Sequence, residues 1–184
     1  LNMNNLILVR HGQSLWNQQR RFTGWADVDL TEHGRLEAKY AGQLIKELNI
    51  KFDAYFTSVQ KRAISTLEII LDILNKQESH IKKAWELNER HYGALTGLNK
   101  DEMIKKHGNN QVHIWRRSFD IPPPPMKKTD PNHPSHNTAY TTIPVDKIPS
   151  GESLKNTFER VIPYYKENIE PLIFSNKNIL ISAH

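Results

Sequence analysis

The chain has 184 residues, enough for one domain with a substantial core, and it carries 38% hydrophobic and 24% charged residues. With no Cys it has neither disulfides nor thiolate chemistry, and no apolar run approaches the ~18 residues that a bilayer-spanning helix needs. A net charge of +5 favours an anionic partner, but Lys and Arg are scattered, so a small phosphorylated ligand is expected rather than nucleic acid or a membrane. The first residues lack the basic-then-apolar layout of a secretory leader, which fits a cytoplasmic location.

Leu6-Ile7-Leu8-Val9 reads as a strand buried on both faces, ending in Arg10-His11-Gly12. The glycine is expected to let the backbone turn sharply there. Arg10 and His11 then emerge at the carboxyl edge of a sheet, where open α/β folds place their ligands. Residues 17–29 read as a polar, aromatic-rich loop. Thr31 is a plausible cap for a helix with Leu36, Tyr40, Ala41, Leu44, Ile45 and Leu48 at helical spacing, closed by Asn49. Ala54-Tyr55-Phe56-Thr57 reads as a second strand. Ser58 is then the expected cap of a helix with Ile64, Leu67, Leu71 and Leu74 on one face.

Lys83-Ala84-Trp85 suggests a further short strand, and Asn99 with Glu102 resembles a capping box. Eight of the ten prolines fall between Pro122 and Pro149. That stretch should be irregular or extended, as a lid or a mobile loop, with 130–136 its most mobile part. A helix follows from about Ser153, with Leu154, Phe158, Val161, Ile162 and Tyr165 inward. Asn178-Ile179-Leu180-Ile181-Ser182-Ala183-His184 repeats the opening design, a buried run that ends in a histidine. Together these elements predict an α/β fold with a mainly parallel central sheet and helices on both faces. Residues 1–184 are expected to form a single domain with a proline-rich insertion at about 120–150.

Two histidines carried to one sheet edge suit a phosphoryl group. A neutral imidazole is a usable nucleophile if one nitrogen is bare, so the other should donate to a carbonyl or a carboxylate. Phosphoryl transfer then depends on positive charge, for which Arg10, Arg62 and a protonated His184 are expected. Glu89 is the odd carboxylate among these cations. It suits proton transfer to and from substrate oxygens, although an ion pair with a neighbouring arginine is its bland alternative. No Cys-containing, paired-His or Asp-rich pattern suggests a metal site, and arginines take the place of a magnesium ion.

Arg10-His11-Gly12-Gln13-Ser14 with Asn17, Phe22-Thr23-Gly24-Trp25 and Leu30-Thr31-x-x-Gly34 form a connected set of motifs. It continues with Thr57-Ser58-x-x-x-Arg62-Ala63, Leu87-Asn88-Glu89-Arg90-His91-Tyr92-Gly93, Trp115-Arg116-Arg117 and Ala183-His184. Over its whole length the chain resembles the cofactor-dependent phosphoglycerate mutases of the histidine phosphatase superfamily. The resemblance implies glycolytic and gluconeogenic interconversion of 3- and 2-phosphoglycerate, with His11 as the phosphorylated residue and 2,3-bisphosphoglycerate as primer. It also implies a catalytic set of His11, Glu89, His184, Arg10 and Arg62, with Glu89 as acid and base. Lys100, Arg116 and Arg117 would hold the far end of the substrate, and Asn17, Thr23, Gly24 and Tyr92 would be neutral donors around it. Gln13 stands where many relatives have glutamate, and is read as tolerated variation. A cytoplasmic homo-oligomer, dimer or tetramer, is implied. Relatives continue past the second histidine into a further helix, so the sequence is expected to be part of a longer chain. The alternatives are a phosphatase or bisphosphoglycerate synthase of the same superfamily, and a non-catalytic scaffold that binds a phospho-ligand.

Overall fold

The computed structural model describes residues 4–76 and 80–184. The chain forms two compact units: Leu1–Leu15, Asp27–Asn88 and Arg160–His184 make the first, Trp16–Ala26 and Glu89–Glu159 the second.

The first unit is built on four parallel strands, β1 (Leu6–Arg10), β2 (Ala54–Thr57), β3 (Ile81–Lys83) and β4 (Ile179–Ala183), in the order β1-β4-β2-β3. On one face, α2 (Glu32–Glu47) and α3 (Lys61–Ile73) bring Ile45, Leu67, Ile70 and Leu71 onto Tyr55 and Leu180. On the other, the end of α6 (Leu154–Tyr164), the π-helical turn Tyr165–Ile169 and α7 (Glu170–Phe174) cover Phe56, Ile179 and Ile181. Helices thus cover both faces, as expected for a parallel sheet.

Several expectations are corrected. β1 is not buried on both faces: Ile7 and Val9 pack inward, but Leu8 is 70% exposed. β1 is an edge strand, and the helices on Leu8's side cover β4 and β2 without reaching it. The buried side of α2 is Gly34, Ala38, Gly42 and Ile45, whereas Leu36, Tyr40, Leu44 and Leu48 face outward. The cause is close packing against α3: a Cβ on Gly42 would lie 3.1 Å from the Ile73 side chain, leaving no room for a larger inward residue. In α6, Val161 packs on the sheet side while Leu154 and Phe158 are exposed. The third strand falls two residues earlier than predicted, and Trp85–Leu87 is a 3₁₀ turn. Pro163 lies inside α6 and removes a backbone donor just before the π turn.

Thr31 caps α2 as predicted, its hydroxyl accepting from the Gly34 N–H at 3.0 Å, and Asn49 takes the left-handed conformation just past the helix. Gly12 and Gly34 are needed for a reason other than a turn. A Cβ on Gly12 would lie 2.2 Å from the Gly34 carbonyl oxygen, and one on Gly34 would lie 2.1 Å from the Gln13 carbonyl oxygen. Gln13 is also more than tolerated variation, because its Oε1 accepts from the Thr31 hydroxyl at 2.9 Å. Gly34→Ala should therefore destabilise the fold by about 2 kcal/mol, since an overpacking cost of about 3 kcal/mol against backbone outweighs the ~1 kcal/mol gained in helix propensity. Urea unfolding of the variant checks this.

The second unit contains most of α1 (Leu15–Gln18), together with α4 (Lys100–His107), α5 (Asn109–Arg117) and the start of α6. Phe22, Leu95, Met103 and Val112 form its core. Asn99 caps α4, its Oδ1 accepting from the N–H groups of Asp101 and Glu102. The proline-rich stretch has no strand but is well packed. It makes three short 3₁₀ turns and buries Met126, Tyr140 and Ile143. His133, inside 130–136, is buried and hydrogen-bonds Ser135 and Ser150.

Candidate active site

Strand order puts the chemistry in place. β1 and β4 are neighbours with Arg10 opposite Ala183, so the next residue of each strand is a histidine. The His11 N–H donates to the Ala183 carbonyl at 3.0 Å, and the His11 and His184 rings lie 5.0 Å apart between centroids.

His11 is buried, and its Nδ1 lies 2.6 Å from the Gly12 carbonyl oxygen. A carbonyl only accepts, so Nδ1 carries the proton and Nε2 keeps its lone pair. That is the tautomer a nucleophile needs. The following loop is fixed by Thr66, whose Oγ1 accepts from the Gly12 N–H at 3.1 Å and donates to the Arg62 carbonyl at 2.7 Å.

Arg62, in the first turn of α3, is fully buried, which rules out an ordinary surface arginine. Arg10 is exposed at the end of β1. Burial, then the Arg62 and Arg10 charges, lower the His11 pKa to about 4, against an upward pull from the Gly12 carbonyl. Burial and Arg62, with smaller contributions from His11, Arg160 and Arg10, also hold His184 well below its ordinary value. His184 is therefore not the standing cation expected from the sequence. It is neutral at pH 7, and only negative charge arriving beside it would favour its protonation.

These shifts make stability depend on pH. Between pH 6.5 and 4 the unfolded chain binds a proton that folded His11 refuses, so stability falls as pH falls through that window. The full shift at His11 corresponds to roughly 3 kcal/mol, of which about 2 kcal/mol is lost by pH 5. His184 acts in the same direction. Urea midpoints at pH 7.5 and pH 5 should show this loss, and His11→Gln should reduce it.

Ser58 is not the cap of α3. Gln60 occupies that position, with no hydrogen bond from its side chain to the helix. The Ser58 hydroxyl instead lies 2.8 Å from His184 Nε2. Ser58 and Thr66 are the two residues whose part here the sequence did not reveal. Ser58 follows a strand as His11 does, and Thr66 stands one helical turn after Arg62, which are the signals that mark them.

In the second unit, Tyr92, Lys100 and Arg116 lie against Phe22 or Arg90. The Phe22 ring packs on Tyr92 at 5.0 Å and lies 5.7 Å from Lys100 Nζ. The Arg90 guanidinium sits 4.8 Å over the Tyr92 ring and donates to the Arg116 carbonyl at 2.6 Å. Gly24 has φ +54°, and a Cβ there would lie 2.9 Å from the Tyr92 backbone nitrogen. Thr23 is buried beside it. The Glu89 carbonyl accepts from the Trp25 indole N–H at 2.7 Å, and the next loop is held by paired backbone and side-chain bonds between His91 and Glu152. Asn17 lies in α1, and Arg117 is exposed at the end of α5.

The parallel sheet thus presents two histidines at its carboxyl edge with a buried arginine beside them. Residues 6–133 match the family model described as histidine phosphatase superfamily (branch 1), and the chain belongs to that family. Curated relatives include the 2,3-bisphosphoglycerate-dependent phosphoglycerate mutase of Hydrogenobaculum sp. (strain Y04AAS1), 53% identical over 182 residues, covering 99% of this chain and 74% of that protein. The mutase of the same name from Pelagibacter ubique (strain HTCC1062) is 54% identical over 182 residues, covering 99% of this chain and 76% of its own length. Among solved structures, phosphoglycerate mutase from Bacillus anthracis str. Sterne superposes with TM-score 0.67 at 21% identity, covering 100% of this chain and 77% of that one. A mycobacterial glucosyl-3-phosphoglycerate phosphatase gives 0.71 at 22% identity, covering 97% and 75%. At such identities the two superpositions show the fold alone.

Proposed function

We propose that this protein interconverts 3-phosphoglycerate and 2-phosphoglycerate through a phosphohistidine on His11, primed by 2,3-bisphosphoglycerate. The observation that carries the reading is the bare Nε2 of His11 beside a second imidazole 5.0 Å away, with Arg62 buried at the same sheet edge. The names of relatives at 53% and 54% identity give the substrate and the primer.

In this reading His11 Nε2 attacks phosphorus of the primer, and the departing alkoxide takes a proton from Glu89. A hydroxyl of the bound monophosphate later gives its proton to Glu89 as its oxygen takes the phosphoryl group from His11. Arg10 and Arg62 balance the charge on the transferring group, so the step needs no metal ion. Lys100, Arg116 and Arg117 hold the distal carboxylate and phosphate, with Asn17, Thr23, Gly24 and Tyr92 as neutral donors. The partner is a small phosphorylated three-carbon acid, not nucleic acid or a membrane, and the protein works as a cytoplasmic homo-oligomer. Among the described residues no helix is long and apolar enough to cross a membrane.

A coupled assay with and without 2,3-bisphosphoglycerate tests this. Isomerisation should require the primer and exceed phosphate release. Release without isomerisation would favour the phosphatase alternative, and synthesis of bisphosphoglycerate as the main activity would favour the synthase. Failure to form any phosphohistidine would favour the scaffold.

A further inference from the structure

His184 sits between two neighbours because β4 lies between β1 and β2. On the β1 side is His11. On the β2 side Thr57 pairs with Ser182, so Ser58 arrives beside the end of β4. Ser58 is fully buried, with Oγ 2.8 Å from His184 Nε2 and 3.3 Å from the Gln60 N–H that it accepts.

The two histidines are therefore held by partners of different chemistry. The Gly12 carbonyl can only accept, so it fixes His11 in one tautomer. A serine hydroxyl has one proton and two lone pairs. The Gln60 bond takes one lone pair, leaving an O–H and a lone pair for His184. By rotating about its C–O bond, the hydroxyl can donate to a bare Nε2 or accept from a protonated one. The ring need not move in either case.

We propose that Ser58 is a positioning residue that holds the His184 ring in one orientation through both its neutral and its protonated state during phosphoryl transfer. This rests on the reading of His184 as the group that meets the charge of the transferring phosphoryl. The ambivalent partner fits a neutral ring that takes up a proton carried in on the phosphate monoester, whose second pKa is about 6, and returns it to the phosphoryl oxygens afterwards. A carbonyl at this position would oppose the neutral ring with a bare Nε2, and a backbone N–H would oppose the imidazolium. A role limited to tying down the start of α3 predicts lost stability without a specific effect on His184.

The test is single-turnover phosphorylation of His11 by labelled 2,3-bisphosphoglycerate in wild type, Ser58→Ala, Ser58→Thr, His184→Ala and the Ser58→Ala/His184→Ala double variant. Ser58→Ala should slow the step roughly 10- to 100-fold, with affinity for the primer unchanged. Ser58→Thr, which keeps the hydroxyl, should recover most of the rate. In the His184→Ala background, Ser58→Ala should have little further effect, because the two act as one unit. An undiminished rate in Ser58→Ala, or the same fold-loss with and without His184, would overturn the assignment. Nitrogen-15 spectra of the wild-type His184 ring supply a second readout that needs no variant. Nε2 should carry a hydrogen-bonded shift before and after phosphorylation, and a shift typical of a free or solvated nitrogen would overturn the assignment. A wild type that takes up no label would contradict the mutase reading, and the ring spectrum would still decide whether the Ser58 bond exists.

Discussion

His11→Ala should abolish the acid-labile, alkali-stable phosphoprotein formed with 2,3-bisphosphoglycerate, and lower mutase turnover by at least ~10⁴-fold. Among the described residues, His11 is the one at the sheet edge whose ring is held by a backbone carbonyl through Nδ1. Nδ1 is committed to the Gly12 carbonyl, which leaves one lone pair available on a ring held neutral by burial and by Arg62. A pKa of about 4 means that the nucleophile is unprotonated across the cellular pH range, with no separate base needed to activate it. His184→Ala should behave differently, still accepting label but more slowly, because its partner ring is lost while the nucleophile remains. Label retained in His11→Ala at the wild-type level would mean that another group attacks.

Arg62→Gln should lower the rate of His11 phosphorylation by roughly 10³-fold, the scale seen when a preorganised charge is removed from a transferring phosphoryl group. The side chain is fully buried, so its positive charge acts with little screening from water. It also depresses both histidines, so the substitution should raise the pKa of His11 above 4 and raise that of His184. Arg62→Lys should recover little, since an ammonium lacks the planar fork that meets two phosphate oxygens. The rate is read by rapid quench and the ring titration by NMR. A rate within tenfold of wild type, with His11 still titrating near 4, would remove Arg62 from the mechanism.

The histidine pair was legible because it rests on the simplest sequence signals. Two apolar runs that each end in histidine become neighbouring parallel strands, and the register then places the rings together without help from distant residues. The Thr31 cap and the left-handed Asn49 were legible for the same local reason. What the pattern did not reveal was decided by tertiary packing. Leu8 looks like core, but it stands on an edge strand beyond the reach of the covering helices. Leu36, Tyr40 and Leu44 have helical spacing, yet small residues win the inward face of α2 because α3 approaches too closely. A glycine after a strand suggests a turn, but at Gly12 it lets one backbone pass close to another. Ser58 offered two plausible uses, and only the arrival of β4 between β1 and β2 selects His184 over the helix end. The lowered pKa of His184 is not legible from spacing, which carries no information about burial or a buried guanidinium nearby.

The proposed mechanism depends most on which atom receives the phosphoryl group. Wild-type protein primed with 2,3-bisphosphoglycerate and examined at alkaline pH by phosphorus–proton and nitrogen-15 NMR answers this directly. Phosphorus should be bonded to Nε2 of His11, with Nδ1 still protonated and hydrogen-bonded to a carbonyl. A phosphoryl group on Nδ1, on His184 or on a carboxylate would contradict it.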